Sequence, residues 1–268
     1  MSEWHVVSAV MRKDLTAVRR SKSTILPMLL VPAVLLLALP AFTGWLAISR
    51  PDFDLGSLLE RFPHALSDPI LSLPPSQQLT VLVNGYLIAP LFLIVPMMVS
   101  TVLAADAFAG EKERRTLETL LHLPVADRDL FLAKLLGAFV PSVGLSWLGF
   151  VLFAVEVNAI GWGVMGRVFV PTWSWAVLIV WVTPAVALLG LGVMVRVSAR
   201  TNTTQEANQL GGAVVLPLVI VSVGQSTGLL LVPLWVTAAV GAVIWVVGLL
   251  LVRGGMRRFT RDRLAARV

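Results

Sequence analysis

Long stretches of this chain carry no charged residue, among them Ser23 to Ser49 and Ala207 to Val252, and they restrict its fold more than any other feature. A helix crosses a bilayer with about 20 apolar residues at 1.5 Å rise each, so the first stretch holds one span and the second holds two. Further apolar runs lie between them. Together they lead to an expectation of six spans, at residues 24–47, 79–104, 130–155, 175–195, 207–224 and 230–252, with Gly224 to Gly228 as the turn between the last two. Lipid offers a backbone N–H or C=O no partner, so a span must bond internally. The expected fold class is therefore all-α, a single polytopic membrane domain over residues 1–268. Composition agrees, being 57% hydrophobic and 13% charged, with a mean hydropathy of +0.86. Pro27, Pro32 and Pro40 predict kinks in span one without a break. Trp45 marks its far end.

The charges orient the spans. In residues 3–22, Trp4, Val7, Met11, Leu15 and Val18 recur at helical spacing, while Arg12, Lys13, Arg19 and Arg20 fall opposite them, as in an interfacial amphipathic helix. Residues 50–78 hold Asp52, Asp54, Glu60, Arg61, Asp68 and five prolines. This predicts an aqueous loop with a short helix near residues 55–62. Trp162, Trp173 and Trp175 flank a short glycine-rich connection on that same side, and Glu156 is expected near the end of span three. Six spans place the N-terminal segment, residues 106–134, residues 196–206 and the tail 253–268 on the other side. That side then carries 18 of the 21 Lys and Arg residues, so both termini are expected in the cytoplasm. The net charge of +6 reads as this asymmetry and not as a nucleic-acid surface, because the bases are dispersed among apolar spans. With no cysteine, disulfides, thiolate metal sites and thiol nucleophiles are excluded.

Ala107 to Lys134 is the one long, densely charged segment held between spans. Gly110 is expected to end the helix of span two, Glu111 and Glu113 to open a short new helix at its positive end, and Pro124 to stop it. The i,i+4 pairs Glu111–Arg115 and Arg114–Glu118 contribute only about 0.2–0.5 kcal/mol each. A helix this short is marginal in water and needs a surface. Leu117, Leu120 and Leu121 form a narrow apolar stripe that suits a groove with a charged rim on a soluble partner. The same stripe suits the chain's own membrane, and the residues alone leave the two open. Asp127 or Asp129 is expected to cap span three.

The run from Gly110 to Val125, GEKERRTLETLLHLPV, followed by DRDLFLAK from Asp127 to Lys134, resembles the motif after the second span of type-2 permeases of ATP-binding-cassette (ABC) transporters. Glu111, Thr116, Leu117, Glu118, Leu121 and Pro124 fall where that pattern puts them. Arg115 departs from it, since glycine is common before the threonine. Ser198 to Pro217 resembles the start of span five more weakly, and the overall layout is similar along essentially the whole chain. The resemblance implies a permease that dimerises with a second permease subunit and docks on a separate ABC ATPase. ATPase-coupling residues would then be Gly110, Glu111, Glu113, Thr116, Leu117, Glu118, Leu120, Leu121 and Pro124. The chain has no G-x-x-x-x-G-K-[ST] phosphate loop, so no cofactor is expected on it, and ATP and Mg are expected on the partner. Export as the direction rests on the resemblance alone.

Polar residues at membrane depth are candidates for a translocation pathway: Asn84 and Tyr86, Ser142 and Ser146, Asn208 and Gln209, Ser222 and Gln225. They equally suit bonds between packed helices. Gly137 and Gly144, and Gly241 and Gly248, recur every two turns and predict close helix approach. An intramembrane enzyme fits poorly, because His5, His64 and His122 all fall outside the spans. An ATPase-independent channel or secondary carrier is the alternative; it would leave the charged loop unexplained, and no ion-coupling carboxylate falls within a span.

Overall fold

The structure is a computed structural model, and it describes residues 8–9, 11–13, 16, 22–50, 55–59, 64–114, 126–201, 203–213 and 234–257. The described residues form helices and connecting turns, with no strand. In chain order these helices are α1 (residues 22–49), α2 (Gly56–Leu59), α3 (His64–Leu71), α4 (residues 75–92), α5 (Ile94–Glu113), α6 (Asp127–Met165), α7 (Trp173–Ser198), α8 (residues 204–213) and α9 (Leu234–Met256). Among the described residues five stretches, Met28–Ser49 and all of α5, α6, α7 and α9, are long and apolar enough to cross a membrane. Most of expected span five, with Ser222, Gln225 and the Gly224–Gly228 turn, lies outside the described residues, as does the tail beyond Arg257.

Helix ends depart from the expected ones in a consistent direction. Helix α5 does not stop at Gly110; it continues to Glu113, where the Arg114 N–H still bonds the Gly110 carbonyl at 3.0 Å. Helix α6 runs past Val155 to Met165, 39 residues in all. It stops at Gly166, whose φ of 61° is a left-handed conformation that glycine adopts freely. At 1.5 Å per residue α6 is about 58 Å long, against about 30 Å of hydrocarbon. It is therefore much longer than a single crossing requires. Ala126 is its N-cap, so neither Asp127 nor Asp129 caps it; both sit in the first turn, where their charge suits the dipole. The short helix expected near 55–62 is present as Gly56–Leu59, with a second, His64–Leu71, behind it.

Helices α5 and α7 form the interior. In their most apolar windows 83% and 72% of residues are buried, against 28%, 28% and 22% for α1, α6 and α9. Close approach between α7 and α9 follows a seven-residue repeat. A Cβ on Gly241, Gly248 or Gly255 would press on Trp181, Leu188 or Val195 respectively, and the nearest backbone to Gly248 is the Leu189 nitrogen at 3.2 Å. Gly241 and Gly248 thus serve the close packing expected of them. Gly144 does not: no described atom lies within 4 Å of its would-be Cβ, while Gly137 faces Met11 at an ordinary 3.6 Å. Large apolar side chains on the outer faces, such as Phe42, Trp45, Leu148, Val155, Val243 and Leu250, are exposed, which suits lipid or a second subunit. Trp173 is 83% exposed, as a boundary tryptophan would be. Trp175, expected beside it, is 1% exposed, and packs with Phe92, Phe150 and Phe153.

Prolines set the local geometry of the spans. The π-turns Val34–Ala38, Val81–Leu87 and Leu178–Val182 each come shortly before a proline, at 40, 90 and 184. In α7 the Thr183 N–H bonds back to Leu178. The Ile179 carbonyl would then need an N–H from position 184, which proline lacks. Trp147 Nε1 of α6 fills that vacancy, donating to the Ile179 carbonyl at 3.0 Å, and Trp245 Nε1 of α9 donates to the Trp181 carbonyl at 3.1 Å. Span one shows the expected absence of a break, since α1 is continuous from 22 to 49.

Trp147→Phe should lower stability by about 1 kcal/mol, and clearly less in a Pro184→Ala background, where residue 184 regains an N–H. Thermal unfolding in detergent measures both, and strictly additive effects would contradict the assignment. Gly248→Leu should destabilise through α7–α9 separation, whereas Gly144→Leu should leave the unfolding midpoint unchanged.

Candidate functional site

One end of the bundle gathers the charged residues. Contacts bring together Lys13, the last turns of α5, the first turns of α6, the α7–α8 turn and the end of α9, where Gly255 abuts Val195 and Gly254 abuts Arg196. This basic end receives the coupling candidates that the structure describes, Gly110, Glu111 and Glu113. Thr116, Leu117, Glu118, Leu120, Leu121 and Pro124 lie outside the described residues.

Because α5 continues to Glu113, Glu111 and Glu113 sit at the negative end of a helix dipole and not at the positive start of a new one. That position is unfavourable for an acid, and each acid is compensated differently. Glu111 is buried, 2% exposed. Its Oε2 pairs with Lys134 Nζ of α6, and its Oε1 accepts from Lys13 Nζ at 2.7 Å. Lys134 is itself 1% exposed, donates to the Ala107 carbonyl at 2.7 Å and lies 5.8 Å from the centre of the Phe108 ring. The Phe108 and Phe131 rings, 5.8 Å apart, form the apolar wall beside it.

Two further anchors belong to the same turns of α5. Arg114, expected to face Glu118, reaches back along its own helix to Asp106 Oδ1 at 3.0 Å. Gly110 makes room for this pair, since a Cβ there would stand 2.7 Å from an Arg114 nitrogen and 3.0 Å from Asp106 Oδ1. The glycine therefore passes an ion pair across the helix surface; it does not end the helix. Lys112 Nζ donates to the carbonyls of Ser198 at 2.6 Å and Thr201 at 3.3 Å, and Glu113 Oε2 accepts from the N–H and hydroxyl of Thr204 at 2.8 and 2.7 Å.

The N-terminal segment, described and helical at residues 8–9, 11–13 and 16, is anchored to the same place. Met11 packs on Leu130 and Ala133 of α6, and Lys13 reaches Glu111. A face expected to meet water and headgroups thus supplies a counter-ion to the protein interior. On one side of residues 115–125 Arg114 is bonded back to Asp106 of α5, and on the other Ala126 caps α6, which is joined to α5 through Lys134.

The pathway candidates are accounted for separately. Ser142 and Ser146 are buried, and their hydroxyls donate to the Ala138 and Ser142 carbonyls at 2.6 and 2.7 Å, within their own helix. Tyr86 is half-buried against the small cluster of Leu55, Leu59, Ile70 and Leu82. Asn84 is 1% exposed, and its Oδ1 has no hydrogen-bond partner among the described residues. Asn208 is half-buried and Gln209 exposed on α8. Glu156 lies inside α6, nine residues before its end, with Oε2 buried and without a described partner.

Asp106, Lys112 and Lys134 were missed as site residues. Lys134 had a readable signal, since it stands among the apolar residues Phe131 to Leu136, where a buried cation demands an acidic partner. Lys134→Met should cost about 3–5 kcal/mol, because it strands the buried Glu111 carboxylate. Lys13→Met removes a half-exposed partner and should cost under about 1 kcal/mol. Equal drops in the thermal midpoint of the two variants would contradict the ranking.

The sequence profile describing ABC-2 family transporter proteins matches residues 8–234. No curated protein matches the chain.

Proposed function

The chain belongs to the ABC-2 transporter family and is a multi-pass membrane permease of an ABC transporter, and from that premise we propose that it exports its substrate across the cytoplasmic membrane on ATP hydrolysed by a separate ATPase subunit. The observation that carries this reading is that the helices flanking residues 115–125, α5 and α6, are tied to each other by the buried Glu111–Lys134 pair. A segment flanked in this way can pass a push into the spans, whereas a loose connector would absorb it. Its own stripe, Leu117, Leu120 and Leu121, remains the surface offered to the ATPase, with Glu118 on the rim and Thr116 and Pro124 at its bounds. Glu111 contributes by holding the base of this segment, so the expected role of direct ATPase contact passes from Glu111 to the residues after Arg114.

The basic end faces the cytoplasm, in keeping with the distribution of 18 of 21 basic residues, and both termini lie on that side. ATP and Mg belong to the partner subunit, and this chain supplies no phosphate loop. The exposed apolar faces of α1, α6 and α9 meet lipid and a second permease subunit, homologous or identical.

Glu118→Lys and Leu121→Asp should leave the protein inserted and folded but reduce its stimulation of the partner ATPase at least tenfold. Normal stimulation by both variants would remove the coupling role. Substrate uptake into vesicles containing the purified chain alone would favour a carrier.

A further inference from the structure

Lys112 and Glu113 are adjacent on α5, and they grip opposite sides of one turn. The α7 helix ends at Ser198, leaving carbonyls at its negative pole without helical partners. Lys112 Nζ bonds two carbonyls of this region, those of Ser198 and Thr201. The following helix, α8, begins after Thr203, whose own hydroxyl accepts the Glu206 N–H at 3.1 Å. That bond leaves the Thr204 N–H free at the positive pole, and Glu113 takes it together with the Thr204 hydroxyl. A cation thus sits on the helix end that attracts cations, and an anion on the end that attracts anions. Neighbouring positions on a helix point about 100° apart, which lets the two side chains straddle the turn.

We propose that Lys112 and Glu113 are positioning residues that clamp the α7–α8 turn to the last turn of α5, so that a displacement of segment 115–125 is delivered to α8 as well as to α6. This rests on the ATP-driven reading above. Two routes then leave the loop. Glu111–Lys134 leads into α6, while Lys112–Ser198/Thr201 and Glu113–Thr204 lead into α7 and α8. No single bond of the second route is strong enough to determine the fold. Acting across one turn, the four together restrict its motion relative to α5.

The chain contains no cysteine, so Gln209→Cys on α8 introduces a single reporter. In the complex with the ATPase, trapping with ATP and vanadate should change its labelling rate by a membrane-impermeant maleimide at least threefold. Adding Lys112→Ala and Glu113→Ala should reduce that change to below 1.5-fold, with Glu113→Gln intermediate. An undiminished change in the double variant would overturn the clamp, while no response in the parent would overturn the ATP-driven reading and the clamp with it. A rescue test guards against simple misfolding. In Glu113→Cys/Thr204→Cys, a short bis-methanethiosulfonate linker should raise stimulation of the ATPase at least threefold, reversibly with reductant; no rise on linking would count against the clamp.

Discussion

The basic end of this protein depends on placing an acid where a helix does not favour one. Glu111 lies in the last turns of α5, against the carbonyl pole, and out of water. Desolvating a carboxylate costs several kcal/mol even after relaxation, and the dipole adds to that cost. Lys134 from α6 and Lys13 from the N-terminal segment offset it by converging on the same carboxylate. The arrangement is therefore one of mutual dependence. Without α6 in place Glu111 is stranded, and without Glu111 the Lys134 ammonium is a buried charge among aromatic rings. Such a pair is not an efficient source of stability, but it does tie the relative position of three elements to a narrow geometry.

Elsewhere the governing constraint is the backbone. Within lipid, an unbonded carbonyl has no water to turn to, and prolines create such carbonyls. The π-turn before Pro184 moves the defect to Ile179, and the indole of Trp147 covers it from a neighbouring helix. Packing and hydrogen bonding thus operate together between α6, α7 and α9. Glycines at 241, 248 and 255 bring α9 close to α7, and the Trp245 indole reaches the Trp181 carbonyl across that same pair of helices.

The sequence was legible where desolvation is the deciding term. Uncharged runs identified the regions of α1, α5, α6, α7 and α9, because a charge in lipid costs too much to be placed at random. It was less legible at helix ends outside the lipid, where local signals compete with tertiary partners. Gly110 reads as a stop, yet α5 passes through it, because Arg114 and Asp106 pair over its bare surface. Glu111 reads as an exposed acid, since its neighbours Lys112 and Glu113 are also charged. Its partner Lys134 lies across a loop, and no local pattern reveals that contact. Ser142 and Ser146 read equally well as pathway or as helix, and a bond to the carbonyl four residues back is the inexpensive choice that sequence cannot rank.

The length of α6 has a mechanical meaning. A rod of about 58 Å that tilts by about 5° around its middle displaces each end by roughly 2.5 Å in opposite directions. The lower end is gripped by Lys134. Near the upper end, Asn158 accepts from the N–H groups of Phe169 and Val170 and donates to the Val170 carbonyl, so the strand of chain beyond Gly166 rides on the rod. Pro141 interrupts the bonding of this helix at one interior point, and that is where it yields most easily. Helix α6 is thus a lever with a soft joint, gripped at one tip and carrying the opposite rim of the protein on the other.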